Sequence, residues 1–262
     1  MSHLHLTISG KGPPLILLHG WGWHSGIWDS LLPQLQNKYE VFAIDLPGFG
    51  KSPLLTSSYT FDEIIPYLLA VVPDQAAWLG WSLGGLFALW IAIYFPSHVS
   101  RLITVTSSPC FVAGDDWPGV SSATLEKFST LLKQDYKKTL LDFLALQLRG
   151  CANQDELFSQ LQPKLFIENK DLLAGLAGGL NLLRDTDLRK QLSEITCPTL
   201  HIFGQRDMIV PASLAPYAFT SIHKSHSYVM KRTGHMPFLT HPEMFLDSLA
   251  HFINDESLPS NG

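Results

Sequence analysis

Five short runs dominated by apolar residues punctuate the chain: Leu15–Leu18, Val41–Ile44, Ala76–Leu79, Leu102–Val105 and Leu200–Phe203. A weaker sixth lies at Ser227–Met230. A strand that is apolar at nearly every position, rather than at every second one, is covered on both faces, as in a parallel sheet. Helix-like stretches near Ile27–Gln36, Phe61–Val72, Leu83–Phe95 and Pro242–Ile253 separate or follow these runs. The alternation predicts an α/β fold with a mostly parallel, doubly wound sheet. It stops between Pro109 and Asp187, where Thr124–Lys133, Tyr136–Leu148 and Asp171–Leu183 carry helical periodicity. The sheet pattern resumes at Thr199. The expected organisation is one core formed by residues 1–108 and 187–262, with 109–186 inserted as a helical cap (lid) over the strand C-termini, where open α/β sheets bind ligands.

Composition narrows the function classes. With 46% apolar and 16% charged residues among 262, the chain has the makings of a large buried core. A net charge of -5 argues against nucleic acid as the main partner, because phosphate recognition needs a basic face. Cys110, Cys151 and Cys197 are odd in number and far apart, with neither a CxxC pair nor zinc spacing; they read as reduced thiols. The stretch Met1–Pro14 has no basic-then-apolar leader pattern, and no apolar run approaches the ~20 residues of a membrane helix. The expectation is a cytoplasmic monomer, without membrane association, metal or organic cofactor.

The chemistry concentrates in four places. Gly80-Trp81-Ser82-Leu83-Gly84 sits between a strand run and a helix run. A serine at the tip of so sharp a strand-to-helix turn is held in a strained conformation, its hydroxyl exposed, and side chains at the flanking glycines would collide. Ser82 is therefore the candidate nucleophile. His19-Gly20-Trp21-Gly22 follows the first strand run and matches a loop that donates one oxyanion-hole N–H; the backbone amides of Trp21 and Leu83 are the candidate donors. His19 reads as a structural histidine. Asp207 leaves the strand run Leu200–Phe203 in Gly204-Gln-Arg-Asp207, whereas Asp185 and Asp187 precede that strand. His235, in Gly234-His235-Met236-Pro237, follows the last run; His223 and His226 precede or begin that strand, His241 sits at the entry to the final helix, and His251 falls on a helix face. The order Ser, acid, His assigns Ser82–His235–Asp207 as the triad.

These segments make a recognisable set. The chain resembles the pimeloyl-[acyl-carrier protein] methyl ester esterases of biotin synthesis, within the α/β-hydrolase superfamily, over nearly its whole length. The resemblance rests on His19–Gly22, Asp45-Leu-Pro-Gly-Phe-Gly50, Trp78–Gly85, Ser107-Ser-Pro-Cys110, Asp116-Trp-Pro-Gly119 and Phe143-Leu-Ala-Leu-Gln147, and more specifically on the Trp81-Ser82 pair, Ser107–Cys110 and Phe143–Gln147. It implies a serine carboxylesterase acting on a pimeloyl methyl ester held by an acyl carrier protein. It further implies substrate contacts from Trp21, Ser82, Leu83, His235 and the segment Phe143, Leu144, Ala145, Leu146 and Gln147. Where that family's cap carries arginines toward the acidic carrier, this chain has Lys133, Lys137 and Lys138, with Asp142, Asp155 and Glu156 nearby. Lys133 and Lys137, four apart, share a face if one helix runs through both. The same scaffold also supports a general short-chain carboxylesterase, a C–C bond hydrolase, or a non-catalytic binding module.

Overall fold

A computed structural model describes residues 3–55 and 57–254. Residues 1, 2, 56 and 255–262, which the sequence division assigns to the core, lie outside the described residues. Seven strands form one sheet: β1 (Leu6–Ser9), β2 (Pro14–Leu18), β3 (Glu40–Ile44), β4 (Ala76–Trp81), β5 (Val99–Val105), β6 (Thr199–Gly204) and β7 (Ser225–Met230). Their spatial order is β1-β3-β2-β4-β5-β6-β7, and every pairing is parallel except β1 with β3. The helices are α1 (Leu32–Leu35), α2 (Phe61–Leu69), α3 (Leu83–Tyr94), α4 (Ser122–Gln134), α5 (Tyr136–Gln147), α6 (Gln154–Leu161), α7 (Leu172–Asp185), α8 (Pro237–Thr240) and α9 (Pro242–Ile253).

The apolar runs do what parallel strands require. Along β2, Leu15 and Leu17 join one hydrophobic cluster while Ile16 and Leu18 join the other. In β3, Val41 and Ala43 separate from Phe42 and Ile44 in the same way. Successive side chains point to opposite faces, so each run feeds two cores at once. Helix α3 has no polar stripe and is buried along most of its length against β4 and β5. Fully burying one such leucine or isoleucine contributes about 1.5–3 kcal/mol.

Three elements differ from the sequence reading. The stretch Ile27–Gln36 is not one helix: a 3₁₀ turn over Ser25–Trp28 and the four-residue α1 replace it, with Pro33 at the start of α1. Strand β1 lies at the sheet edge with Ile8 57% exposed, so it lacks the doubly covered pattern. Helix α6, eight residues long, falls within the inserted region between stronger helical signals.

The strand order reverses beside β2: β3 lies on one side of it and β4 on the other, with Leu18 paired to Gly80. The loops leaving β2 and β4 therefore emerge side by side at a topological switch point, where such sheets open a crevice. Helices α4 to α7 all lie in the chain between β5 and β6. The ends of that segment meet, with Leu188 N donating to Pro109 O at 2.9 Å and a bridge between Cys110 and Asp187. No helix among the described residues is long and apolar enough to cross a membrane.

Candidate active site

Ser82 caps the start of α3 with φ 53° and ψ −116°. A non-glycine residue rarely adopts positive φ, and the cost is met by the packing around it. A β-carbon on Gly80 would strike the Gly84 carbonyl, and one on Gly84 would strike the carbonyls of Leu18 and His19. Both glycines of the motif are thus required by backbone rather than by yielding side chains. Val105 O accepts from Ser82 N at 3.0 Å. Ser107 Oγ donates to Ser82 O at 2.8 Å.

The neighbouring loop brings Trp21 to the serine. The indole N–H of Trp21 donates to Leu176 O at 2.8 Å, and its ring packs edge-on against Phe128 and Phe143. Among the described residues neither the Trp21 nor the Leu83 backbone N–H donates to a protein acceptor. His19 behaves as a structural group. Its Nε2 accepts from Leu46 N at 2.9 Å, which leaves the ring proton on Nδ1, 2.8 Å from Gly20 O. Burial depresses its pKa from 6.5 to about 4. The neutral ring ties the His19–Gly22 loop to the segment beginning at Asp45.

Asp207 and His235 come together from the loops after β6 and β7. His235 Nδ1 lies 2.8 Å from Asp207 Oδ2, with both side chains buried. Asp207 Oδ1 accepts from the amides of Ile209 and Val210 at 2.8 and 3.1 Å, so the carboxylate is held at both oxygens. The segment following Asp207 thus pins it. His235 Nε2 is buried and has no hydrogen-bond partner, from Ser82 or any other described residue. With the proton on Nδ1 toward Asp207, that nitrogen holds a free lone pair; serine–histidine contacts are often long before substrate binds.

The rival residues are placed elsewhere. Asp185 and Asp187 pair with Arg184 and Arg189 near the surface. His223 and His226 are exposed around the start of β7, His241 precedes α9, and His251 lies late on it. All three cysteines are free, and burial pushes each thiol pKa up, away from nucleophilic thiolate.

Ser82 opens into a cavity of about 270 Å³ whose lining bears no ionisable side chain. Trp21, Phe111, Phe128, Phe143, Leu146 and Leu180 form much of its wall. Of the segment 143–147, Phe143 and Leu146 face the cavity. Leu144 is buried in the core on the other side, Gln147 accepts from the Trp23 indole at 3.1 Å, and Ala145 is partly exposed off the cavity wall. Helical spacing explains the split, since only positions three or four apart share a face.

The lysines lie on two helices, as the separate stretches Thr124–Lys133 and Tyr136–Leu148 anticipate, so the condition for one shared helix face is not met. Asp135, extended at φ −153°, ends α4 and caps α5 by accepting from Lys138 N at 3.0 Å. Lys133 and Lys137 thus sit on separate helices, yet both line one surface groove together with Leu132, Asp135, Leu173 and Ala177. Lys138 pairs with Asp142 at 2.6 Å in solvent.

Residues 13–242 match the sequence profile of the alpha/beta hydrolase fold family. The chain is 39% identical to the pimeloyl-[acyl-carrier protein] methyl ester esterase of Aeromonas hydrophila over 245 residues, 93% of this chain and 96% of that one. It is 40% identical to the enzyme of the same name from Edwardsiella ictaluri over 259 residues, 98% of this chain and all of the other. The chain belongs to the α/β hydrolases, in the pimeloyl-[acyl-carrier protein] methyl ester esterase family. Among solved structures, this α/β hydrolase superposes on an esterase from Exiguobacterium antarcticum with a TM-score of 0.85 at 25% identity, covering 96% of this chain and 95% of that one. A bromoperoxidase from Bacillus anthracis gives 0.82 at 26% identity, covering 96% and 95%.

Sequence reasoning missed three residues at this site. Trp81 Nε1 and Thr106 Oγ1 both donate to the His235 carbonyl, at 2.8 and 2.9 Å, and Ser107 holds Ser82. The Trp78–Gly85 and Ser107-Ser-Pro-Cys110 segments of the resemblance include Trp81 and Ser107, but neither gave them a role, and Thr106 lay outside both.

Proposed function

We propose that this protein hydrolyses the methyl ester of a pimeloyl chain carried on an acyl carrier protein, releasing methanol and the free ω-carboxylate in biotin synthesis. The observation that carries the reading is a buried His235, oriented by Asp207 and with its Nε2 uncommitted, in a molecule whose strained Ser82 opens into an uncharged cavity. His235 Nε2 takes the Ser82 proton as Oγ attacks the ester carbonyl. The amides of Trp21 and Leu83 receive the oxyanion. The imidazolium, stabilised by Asp207, returns the proton to the departing methoxide. Water then repeats the sequence on the acyl-enzyme and frees Ser82.

Residues 109–186 serve as the cap, a reading supported by the meeting of their two ends and by α4, α5 and α7 walling the cavity. Trp21, Phe143 and Leu146 contact the acyl chain. The carrier, acidic overall, docks on the cap near Lys133 and Lys137, with Lys138 contributing less because Asp142 already engages it. The enzyme works as a cytoplasmic monomer. The names of the relatives support the substrate. The decisive experiment presents purified enzyme with pimeloyl methyl ester on its carrier and with the free dimethyl ester. Higher kcat/KM on the carrier-linked form supports the proposal; equal values reduce the protein to a general carboxylesterase.

A further inference from the structure

Thr106 and Ser107 follow directly on β5, between the two loops that bear Ser82 and His235. Thr106 is fully buried, is β-branched, and has φ 43°. Positive φ is a genuine outlier for such a residue, and strain of this kind persists where the surroundings over-determine it. Its amide donates to Ile202 O at 2.7 Å, and Val105 O before it accepts from Ser82 N. The two hydroxyls then diverge. Thr106 Oγ1 reaches the His235 carbonyl, and Ser107 Oγ, also buried, reaches the Ser82 carbonyl.

The His235 loop arrives from β7, two strands away from β5. To reach Thr106 it must cross the end of β6. It does so over Gly204, where a β-carbon would collide with the Gly234 carbonyl. A bare strand end, a strained threonine and two buried hydroxyls thus meet between the nucleophile and the base.

We propose that Thr106 and Ser107 act as one positioning clamp, fixing the separation of Ser82 Oγ and His235 Nε2 by holding both residues at their backbone carbonyls. The clamp matters because the Ser82–His235 hydrogen bond is itself unmade; the backbone sets the distance over which the proton moves. Neither residue lines the cavity, so the clamp acts on turnover and leaves substrate binding alone. The proposal rests on the Ser82–His235 reading above.

The test uses full-length enzyme, a p-nitrophenyl butyrate assay, and active sites counted by a fluorophosphonate probe. Thr106→Val keeps the shape and removes the hydroxyl; the His235 carbonyl retains the Trp81 indole as a donor, so the fold has reason to survive. The expected result is a kcat per labelled site lower by about tenfold with KM within about twofold, and recovery of most of that loss in Thr106→Ser. Ser107→Ala should lower kcat less, because Gly85 N still donates to the Ser82 carbonyl, and the double variant should fall short of the product of the two single losses. Unchanged kcat in Thr106→Val, or equal impairment of the Val and Ser variants, overturns the clamp. If Thr106→Val does not fold, Ser107→Ala decides alone: a loss in kcat at constant KM supports the clamp, and wild-type kcat overturns it. Failure of the probe to label Ser82 in the unaltered enzyme would sink the serine reading itself, a result distinct from either.

Discussion

The loops at the strand ends and the helices α4 and α5 are built on opposite principles. At the strand ends, backbone meets backbone: Gly80 against Gly84, Gly84 against Leu18 and His19, Gly204 against Gly234. Hydrogen bonds lock what sterics leave, at Ser82 O, Asp207 Oδ1 and the His235 carbonyl. In α4 and α5 the contacts that matter to the cavity come from side chains, with Phe128 and Phe143 packed around Trp21. A region fixed by backbone admits few changes and keeps one chemistry. A region fixed by apolar side chains can be recut without disturbing it. On the proposed function, reaction type belongs to the first region and substrate choice to the second.

The sharpest break of that division is Ser82→Ala. Turnover of every ester should fall by about a thousandfold or more, with the melting temperature nearly unchanged; selective loss on long esters alone would merge the two regions. Acid addresses the strand-end region next. His19 is buried and neutral with its pKa lowered from 6.5 to about 4, and burial lowers that of His201 as well. As pH falls from 6.5 toward 4, the unfolded chain binds a proton that folded His19 refuses. Stability should therefore drop over that window by about 3 kcal/mol from His19, a contribution complete at the lower end, while His201 and the aspartates with lowered pKa, Asp45 among them, continue the loss below it. Denaturant midpoints that stay flat from pH 6.5 to 4.5 would contradict the neutral, buried His19.

Two smaller effects probe the helices. Phe143→Ala should raise KM for long acyl esters by about tenfold while leaving acetate esters within about twofold, since it removes cavity wall and not chemistry. Equal changes on both would return Phe143 to plain packing. Reversing Lys133, Lys137 and Lys138 to glutamate should lower kcat/KM for carrier-linked substrate by roughly severalfold, through encounter rate. Added salt should bring the wild type toward the variant. A small neutral ester should turn over as before. Equal loss on both substrates, or indifference to salt, places docking elsewhere.

The sequence made the strand-end region legible because its constraints are local. A glycine two residues from a serine at a strand-to-helix junction has one steric meaning, and the acid and base follow from chain order. Doubly covered strands announced themselves through runs such as Leu15–Leu18. Edge strand β1 did not, because half its surface meets solvent. The break at Asp135 falls in the gap between the periodic stretches Thr124–Lys133 and Tyr136–Leu148, and its local signal is an aspartate three residues before Lys138, the spacing of a side-chain helix cap. Thr106 and Ser107 were opaque for another reason. Their partners lie 129 and 25 residues away, and no local pattern encodes a hydroxyl's distant acceptor.

Helix α7 is riveted to the loops leaving β2 and β3: Leu176 O receives the Trp21 indole, and Gly175 lies backbone to backbone on Gly48. Helix α4 has no such fastening. Among the described residues its hydrogen bonds run only within itself and to its own caps, and it touches α5 and α7 by side chains. Yet Thr124, Leu125 and Phe128 of α4 face the cavity. The chamber thus has one compliant wall and one stiff one. A longer guest should therefore displace α4 before α7, whose distance from the serine is set by the Trp21 and Gly48 contacts. Amide hydrogen exchange should register this asymmetry, faster along 122–134 than along 172–185.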